Sequence, residues 1–232
     1  MGPWNGDCVA FAEGTTVYRR LKGLVVNYQL APYAHLQASQ LAHNLNVSVT
    51  PVREALMRLH GESLIASQPT RGFFIKPLDL IEVAGLYEVI SLLLRYSITD
   101  GQTNDGAQMR CDAAPKDDPT SAFQGSIGSW VDYAEQTYIL ISSGSTNQEI
   151  RRHVANLIER TRFVRTIFFE NTLRRSVFQR LVNELLQALR RQATEDAAAG
   201  LRTLLDYKVG SLPLVVREGL QKIWGAQPRR TA

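Results

Sequence analysis

Residues 1–13 predict a loose, poorly ordered start. From Thr15 to about His60 apolar residues recur at helical spacing, and a short stretch of strand-like pattern follows them. Ala31-Pro32-Tyr33 interrupts the first helical pattern, and Asn46-Val47-Ser48 separates the second from the third. A proline and a glycine bracket the polar tip at residues 69–72, which favours a hairpin. The predicted elements are helices at about Thr15–Gln29, Ala38–Leu45 and Thr50–His60, and strands at Leu64–Ser67 and Phe73–Lys76.

After Pro77 the pattern is helical over nearly all of the remaining chain. The stretch from Asp100 to about Thr120 is the exception, because it is rich in Gly, Asp, Asn and Pro and predicts a loop. Thr194 is placed to cap the helix that follows it, since the next two residues are acidic and favour a first turn. The predicted helices are Asp79–Thr99, Trp130–Ser142, Asn147–Phe169, Leu173–Ala193, Glu195–Val209 and a tail helix after Pro213.

This order of elements predicts a mainly α fold class with two domains. Residues 1–78 are expected to form an N-terminal winged helix-turn-helix, in which three helices are followed by a β-hairpin wing. Residues 79–232 are expected to form an all-α helical bundle. The change from a mixed pattern to a helical one at Pro77 places the boundary between them.

The two short helices have the apolar faces that a helix-turn-helix needs. Leu41, Ala42 and Leu45 give the first helix an inner face, and its small alanine lets the two helices cross closely. Asn46 stands where the tight turn requires a residue that tolerates positive φ. Ser48 is placed to cap the second helix, in whose first turn a proline is well tolerated.

The second helix directs its inner face inward through Val52, Leu56 and Leu59. The polar residues of its outer face therefore remain free, where a helix-turn-helix presents side chains to the major groove. These outer residues are Thr50, Arg53, Glu54, Met57 and Arg58.

Composition and charge permit a nucleic-acid partner. The chain is 44% hydrophobic and 21% charged, which is ordinary for a globular protein and argues against disorder throughout. Its net charge is +4, and residues 1–78 contain 7 Lys and Arg against 4 Asp and Glu. A basic N-terminal third fits an anionic partner such as DNA.

The cysteines and the chain's apolar runs predict a soluble, cytoplasmic protein without a membrane partner. Cys8 and Cys111 are far apart and match no metal or redox spacing, so two free thiols are expected. No basic stretch followed by an apolar one begins the chain, and no apolar run approaches the ~20 residues that span a bilayer.

The run Val-Ser-x-Thr-Pro-Val-Arg-Glu-Ala-Leu-x-Arg-Leu at Val47–Leu59 resembles the signature of the GntR family of bacterial regulators. The following Leu64-Ile65 and Pro69-Thr70-Arg71-Gly72-Phe73-Phe74-Ile75 resemble that family's wing. The resemblance implies a homodimer that binds double-stranded DNA at a palindromic operator, more often as a repressor. The DNA-binding residues that we expect are Ser48, Val49, Thr50, Pro51, Arg53, Arg58, Thr70, Arg71 and Gly72.

Two residues depart from the family's pattern. Val49 stands where members usually carry arginine, and Asn46 replaces the glycine that is usual at the turn. Loss of an arginine that reads a base removes about 1–3 kcal/mol of base discrimination. Since a valine can instead touch a thymine methyl group, we expect a different operator preference from that of close relatives.

The second domain resembles the FCD-type effector domain of one GntR subfamily. Leu80 and Tyr87-Glu88-Val89 open a long helix directly after the wing, and Asp132 opens another. The resemblance implies a helical bundle around a central cavity, a divalent metal held by one Asp and three His, and small carboxylate effectors. Neutral imidazoles with one carboxylate suit transition metals.

That metal site is expected to be lost here. Gln136 stands where the first histidine belongs, and the chain near Val182 and Tyr207 offers no other. His153 is the sole histidine beyond residue 78, and a lone histidine is more often a surface or packed residue than a ligand. We therefore predict neither a metal nor another cofactor.

The effector site is predicted from polar residues among aromatic ones. Arg162 and Arg165 are candidates for meeting an anionic effector, although a solvated helix face is an equal interpretation of both. Ile90 and Leu94 fall where relatives often carry polar residues, which suggests a more apolar pocket for an aromatic or hydrophobic ligand, and a carboxylate stays the alternative. The remaining candidate pocket groups are Asp132, Gln136, Tyr138 and Tyr207.

Three classes of function are compatible with a helix-turn-helix joined to a helical domain. The first is a regulator controlled by a small-molecule effector, and the second is a regulator whose helical domain only dimerises. The third is an enzyme with an attached DNA-binding domain. The sequence contains no Gly-x-Ser-x-Gly elbow, phosphate-binding glycine loop, dinucleotide fingerprint or His-Glu-x-x-His pair, so catalysis is not expected.

Overall fold

A computed structural model describes residues 13–103 and 125–225 of the chain. These residues form two compact units, one of residues 13–78 with 220–225 and the other of residues 79–219. The predicted mainly α fold class is confirmed: three helices and an antiparallel hairpin precede a run of helices. Residues 1–12 of the predicted loose start, both cysteines and most of the predicted loop lie outside the described residues.

The N-terminal unit has the predicted order of elements. The first helix ends three residues earlier than predicted, because Tyr28 adopts a positive φ of 49° and its N–H bonds to the carbonyl of Val25. In the hairpin, Ile65 pairs with Ile75, and Gln68 pairs with Gly72. The elements are α1 Glu13–Val26, α2 Ala38–Leu45, α3 Val49–Gly61, β1 Ile65–Gln68 and β2 Gly72–Ile75.

The core of this unit joins all five elements. Its buried members include Leu21 of α1, Leu41 of α2 and Leu56 of α3, together with Ile65 and Ile75 of the hairpin. Burial of aliphatic side chains of this size stabilises a fold by about 1.5–3 kcal/mol each. The core thus fixes the orientation of α3, whose outer face is the candidate DNA-binding surface.

The second unit is helical throughout its described residues. Its helices are α4 Leu80–Thr103, α5 Ile127–Ser143, α6 Gln148–Arg160, α7 Arg162–Glu170, α8 Thr172–Arg190 and α9 Thr194–Gly225, of which residues 220–225 are grouped with the N-terminal unit. Within the described ranges, no helix is both long and apolar enough to cross a membrane.

Two predicted helix boundaries in this unit were wrong. The single helix predicted at Asn147–Phe169 breaks at Thr161, whose hydroxyl donates to the carbonyl of Leu157 over 2.7 Å. A threonine that bonds to the preceding turn competes with the helical backbone. Conversely, α9 passes through Pro213 without a break, and Thr194 is its first residue rather than its cap.

Candidate nucleic-acid interface

The turn between α2 and α3 is built by one residue in the left-handed conformation. Asn46 has φ 55° and ψ 49°, and its N–H bonds to the carbonyls of Ala42 and His43. The N–H of Val47 also bonds to the carbonyl of Ala42. The prediction of a positive φ at Asn46 is confirmed, so asparagine replaces the family's usual glycine at low cost.

The two faces of α3 separate as the sequence predicted. Val52 and Leu59 are 0% exposed and Leu56 is 1% exposed, so all three belong to the core. On the opposite face Thr50 and Arg53 are exposed, and no side-chain partner holds Arg53 among the described residues. A free guanidinium on this face can contact a base edge without first breaking an intramolecular bond.

Ser48 occupies the N-cap position of α3 but does not cap it with its side chain. Its backbone is extended, with φ −72° and ψ 162°, and its hydroxyl accepts no cap hydrogen bond. The physical reason is Pro51, the third helical residue, which has no N–H to donate at the position that an N-cap serine usually serves. The hydroxyl is therefore not engaged in a cap at the start of the helix.

Val49 is only partly exposed and packs against the core of the N-terminal unit. This position limits the contact with a thymine methyl group that the sequence suggested, because part of the side chain is already covered. Of the residues expected at the start of α3, Thr50 is the more accessible to a duplex.

Arg58 is held by its own protein rather than free for DNA. Its guanidinium lies 3.8 Å from the centroid of the Tyr18 ring, and its Nε donates to Glu62 over 3.2 Å. Tyr18 donates its hydroxyl to Glu62 over 2.6 Å, and Lys22 donates to that hydroxyl over 2.7 Å. We call Tyr18, Lys22, Arg58 and Glu62 the bracing cluster, because it ties α1 to α3.

Acid is expected to destabilise the N-terminal unit through the bracing cluster. Burial opposes ionisation of Glu62, but hydrogen bonds from Tyr18, Lys22 and Arg58 prevail and lower its pKa below the ordinary value of 4.5. A lowered carboxyl pKa contributes stability above the unfolded pKa, and this stability is lost as pH falls through the folded pKa. Urea unfolding of the wild type should therefore show a loss that begins below about pH 4.5.

Glu62→Gln should be less stable at neutral pH by about 1–2 kcal/mol and should lack that part of the acid dependence. Glu54→Gln is the matched control, because Glu54 lies on the exposed face of the same helix and should leave the pH profile unchanged. An unaltered acid profile in Glu62→Gln would contradict the role of the bracing cluster.

The hairpin tip is exposed, and two of its residues adopt the positive φ values of a tight turn. Thr70 and Gly72 have φ of 63° and 89°, and Arg71 is exposed with its guanidinium 5.7 Å from the ring centroid of Phe74. A Cβ on Gly72 would lie 3.2 Å from Nε2 of His35, so both backbone and space favour glycine there. The structure thus brings the three predicted wing residues together at one exposed tip.

The candidate effector residues of the second unit do not share one pocket. Asp132 and Gln136 are exposed, so the prediction that they line the interior was wrong. Tyr138 and Arg165 are 0% exposed, whereas Tyr207 is half-buried. Inward positions of α5 are taken instead by Glu135 and Tyr138, which are offset from the expected pair along the helix.

The two arginines proposed for an anionic effector are already paired with carboxylates of the protein. Arg162 bonds to Asp132 over 2.9 Å and also to Glu135. Arg165 bonds to the other oxygen of Glu135 over 2.7 Å and to the hydroxyl of Thr161 over 2.6 Å. Because Arg165 is fully buried, its interpretation as part of a solvated face was also wrong.

Two interior residues were missed by sequence reasoning, Glu135 and Lys208. Lys208 is 1% exposed and lies on α9 in line with the buried Leu201, Leu204 and Leu212. Spacings of four and seven residues from buried leucines were the available signal, since they place a residue on the inner face of a helix. Glu135 had no comparable signal in the sequence.

The described residues do not fit the metal site that an FCD domain implies. Asp132 and Gln136 face outward, Val182 is a buried apolar residue, and His153 is exposed beside Glu149. Over residues 13–103 and 125–225, no group of three or more His, Cys, Asp and Glu side chains is arranged to hold a metal ion.

Comparison with known proteins agrees with the geometry of the N-terminal unit. Residues 14–75 match the family described as bacterial regulatory proteins, gntR family. The Nta operon transcriptional regulator of Aminobacter aminovorans is 28% identical over 152 residues, which cover 64% of this chain and 71% of that protein. The HTH-type transcriptional repressor RspR of Escherichia coli is 33% identical over 67 residues, which cover 29% of each protein.

A solved structure extends the similarity of fold to nearly the whole chain. The protein of Rhodococcus sp. RHA1, assigned as a GntR transcriptional regulator, has a TM-score of 0.63 at 19% identity over 94% of this chain and 100% of that one. These relatives are transcriptional regulators and not enzymes. The exposed outer face of α3, the wing and these similarities together show that residues 14–75 form a DNA-binding region of the gntR family of bacterial regulatory proteins.

Proposed function

We propose that the chain is a homodimeric repressor that binds a palindromic operator and is controlled by a small-molecule effector. The main support for DNA binding comes from the outer face of α3. There Arg53 is exposed, and no described side chain bonds to it. Two copies related by a two-fold axis would place two such helices in successive major grooves. Because its target is DNA, the cytoplasm is the proposed location.

The proposed contacts divide between the two ends of the interface. Ser48, Thr50, Pro51 and Arg53 would lie at the major groove, where a guanidinium can bond to two acceptors of guanine. The wing tip, residues 70–72, would lie against phosphates or in the minor groove. Arg58 and Val49 would support the interface from behind, because the first is held in the bracing cluster and the second packs on the core.

Repression and effector control rest on the resemblance to relatives. The similarity to the regulator of A. aminovorans extends over 152 residues, more than the 62 residues that match the gntR family description, so it includes part of the second unit. We propose that residues 79–232 are a divergent FCD-type domain that binds the effector and dimerises. RspR, which shares the N-terminal region, is named as a repressor.

The dimer surface that we propose is an exposed apolar stripe on α4. Ile81 is 83% exposed, Leu92 57% and Tyr96 53%, and their spacing places them on one side of the helix. Glu88 and Arg95 flank Leu92 on the same side, and both are exposed. In an antiparallel pair of α4 helices centred at Leu92, Glu88 would face Arg95 of the partner subunit, so the stripe is complementary to a second copy in shape and charge.

Leu92→Glu is expected to shift the protein from dimer to monomer. The substitution would place two like charges opposite each other at the two-fold axis and remove the central apolar contact. Sedimentation velocity at several concentrations measures the change, and a tenfold or larger rise in the dimer dissociation constant is expected, equal to about 1.4 kcal/mol or more. Leu173→Glu is the control, because Leu173 is 76% exposed outside the stripe. Equal dissociation in both variants would contradict the proposed surface.

A gel shift with DNA that flanks the chain's own gene tests the proposed function. Wild-type protein should retard a fragment in this region at low salt, and unlabelled copies of the same fragment should compete better than unrelated DNA. Failure to retard any flanking fragment at low salt would contradict the proposal that the protein binds an operator there.

A further inference from the structure

Lys208 is a buried amine without a hydrogen-bonding partner among the described residues. The side chain is 1% exposed, and its Nζ donates no hydrogen bond to any described residue. Four aromatic rings of the helical unit surround this atom at 4.9–5.4 Å from their centroids. These rings belong to Tyr138, Phe168, Phe169 and Phe178.

Charges near Lys208 do not balance when its amine is protonated. Glu135 is the acidic group that acts on it, but both carboxylate oxygens of Glu135 are already bonded to Arg162 and Arg165. Arg162 has a second carboxylate in Asp132, whereas Arg165 has none besides Glu135 among its described partners. One positive charge therefore lacks a counterion in the interior, where an unpaired charge is costly.

A second polar group beside Lys208 is also unsatisfied. Tyr138 is 0% exposed, and its hydroxyl has no hydrogen-bond partner among the described residues. The ring of Tyr138 lies 5.2 Å from Nζ of Lys208, so the two groups belong to the same interior region. Buried polar atoms are nearly always bonded, and two neighbouring exceptions point to a missing acceptor.

The missing acceptor has a definite chemistry. An ammonium and a phenol can both donate to one carboxylate, and a single negative charge would balance the single unpaired positive one. The aromatic rings around Nζ would then contact an apolar body. A neutral molecule would leave the charge unbalanced, and a cation would add to it.

We propose that Lys208 and Tyr138 recognise the carboxylate of a small monoanionic ligand with an apolar body. The inference rests on the proposed function, since it names the class of effector that the helical unit would bind. The rings surround the amine closely, so the ligand enters when these side chains move apart.

Carboxylate binding should be coupled to proton uptake. Burial lowers the pKa of Lys208 well below its usual range and Arg165 lowers it further, whereas Glu135 raises it. The other titratable groups here are Tyr87 on α4 and Tyr138 on α5, whose pKa burial raises, so both stay neutral. An anion favours the protonated amine, and its affinity should therefore fall as pH rises.

Lys208→Met separates a recognition role from a structural one. Methionine keeps the length and apolar stem of lysine but removes the amine that is costly to bury, so the ligand-free variant should melt at a higher temperature than the wild type. The same variant should bind carboxylates more than tenfold more weakly, because a charged hydrogen bond is lost. A structural lysine would give the opposite change in melting temperature and no change in binding.

The experiment uses the full chain with benzoate, phenylacetate and hexanoate as probes, each beside its neutral amide. Thermal shift and titration calorimetry should show stabilisation by at least one carboxylate and none by the matching amide. Tyr138→Phe should bind the same carboxylate more weakly than the wild type does. This second variant tests the inference if Lys208→Met fails to fold. Lys222→Met, an exposed substitution on the same helix, should bind as the wild type does.

Three results would overturn the inference: no probe stabilises the wild type, an amide binds as well as its acid, or Lys208→Met and Tyr138→Phe both keep full affinity. The first would favour a helical unit that only dimerises. A gel shift on the same preparation separates this outcome from failure of the proposed function. Retarded DNA without carboxylate binding defeats only the inference, and carboxylate binding without retarded DNA defeats the DNA-binding proposal.

Discussion

Glu135→Ala is expected to destabilise the helical unit by about 3–5 kcal/mol, because it removes the carboxylate that neutralises a buried guanidinium. The side chain of Arg165 is 0% exposed, and its Nη2 lies 2.7 Å from Oε1 of Glu135. Glu135 also opposes the charge of Lys208 in the same interior. After the substitution, Arg165 would remain buried without a carboxylate, and urea unfolding followed by circular dichroism should show the loss.

Asp132→Ala is the matched control for the loss of a carboxylate from the same helix. The side chain of Asp132 is 56% exposed in its pair with Arg162, so this substitution should cost within about 1 kcal/mol. Combining Glu135→Ala with Lys208→Met should recover part of the lost stability, since a buried amine without a hydrogen-bond partner is removed. Equal destabilisation by Glu135→Ala and Asp132→Ala would show that burial does not govern the strength of these pairs.

The N-terminal unit could be predicted from sequence because its determinants are local. The apolar faces of α2 and α3, the positive φ of Asn46 and the order of the hairpin strands each depend on residues within a few positions of one another. The role of Arg58 could not be predicted in this way. It depends on Tyr18, which lies 40 residues earlier on a helix that packs against α3.

The interior of the helical unit was harder to predict, because a small error in helix rotation changes which residues face inward. Adjacent residues of a helix differ by about 100° in direction, so the expected positions Asp132 and Gln136 lie outside while Glu135 lies within. Polar residues were assigned to the surface by their type, and Lys208 was overlooked for that reason. Its ring contacts come from three other helices.

Arg53→Ala is expected to reduce binding to the operator strongly, because each dimer would lose the same contact in both half-sites. A bidentate arginine contact to guanine contributes about 1–3 kcal/mol of discrimination, so two would contribute about 2–6 kcal/mol. This corresponds to a decrease in affinity of roughly 30-fold to 20,000-fold. Fluorescence anisotropy with operator and unrelated DNA at fixed salt measures both specific and non-specific binding.

The shape of the guanidinium, rather than its charge, is the property that Arg53 would use. Arg53→Lys keeps the charge but loses the planar pair of donors, so it should bind unrelated DNA nearly as the wild type does and the operator much more weakly. Arg71→Ala at the wing provides the contrast, because loss of a phosphate contact should weaken both DNAs alike and reduce the salt dependence. If Arg53→Ala also weakened both DNAs alike, Arg53 would be a phosphate contact, and the bases would be read by other residues on the outer face of α3.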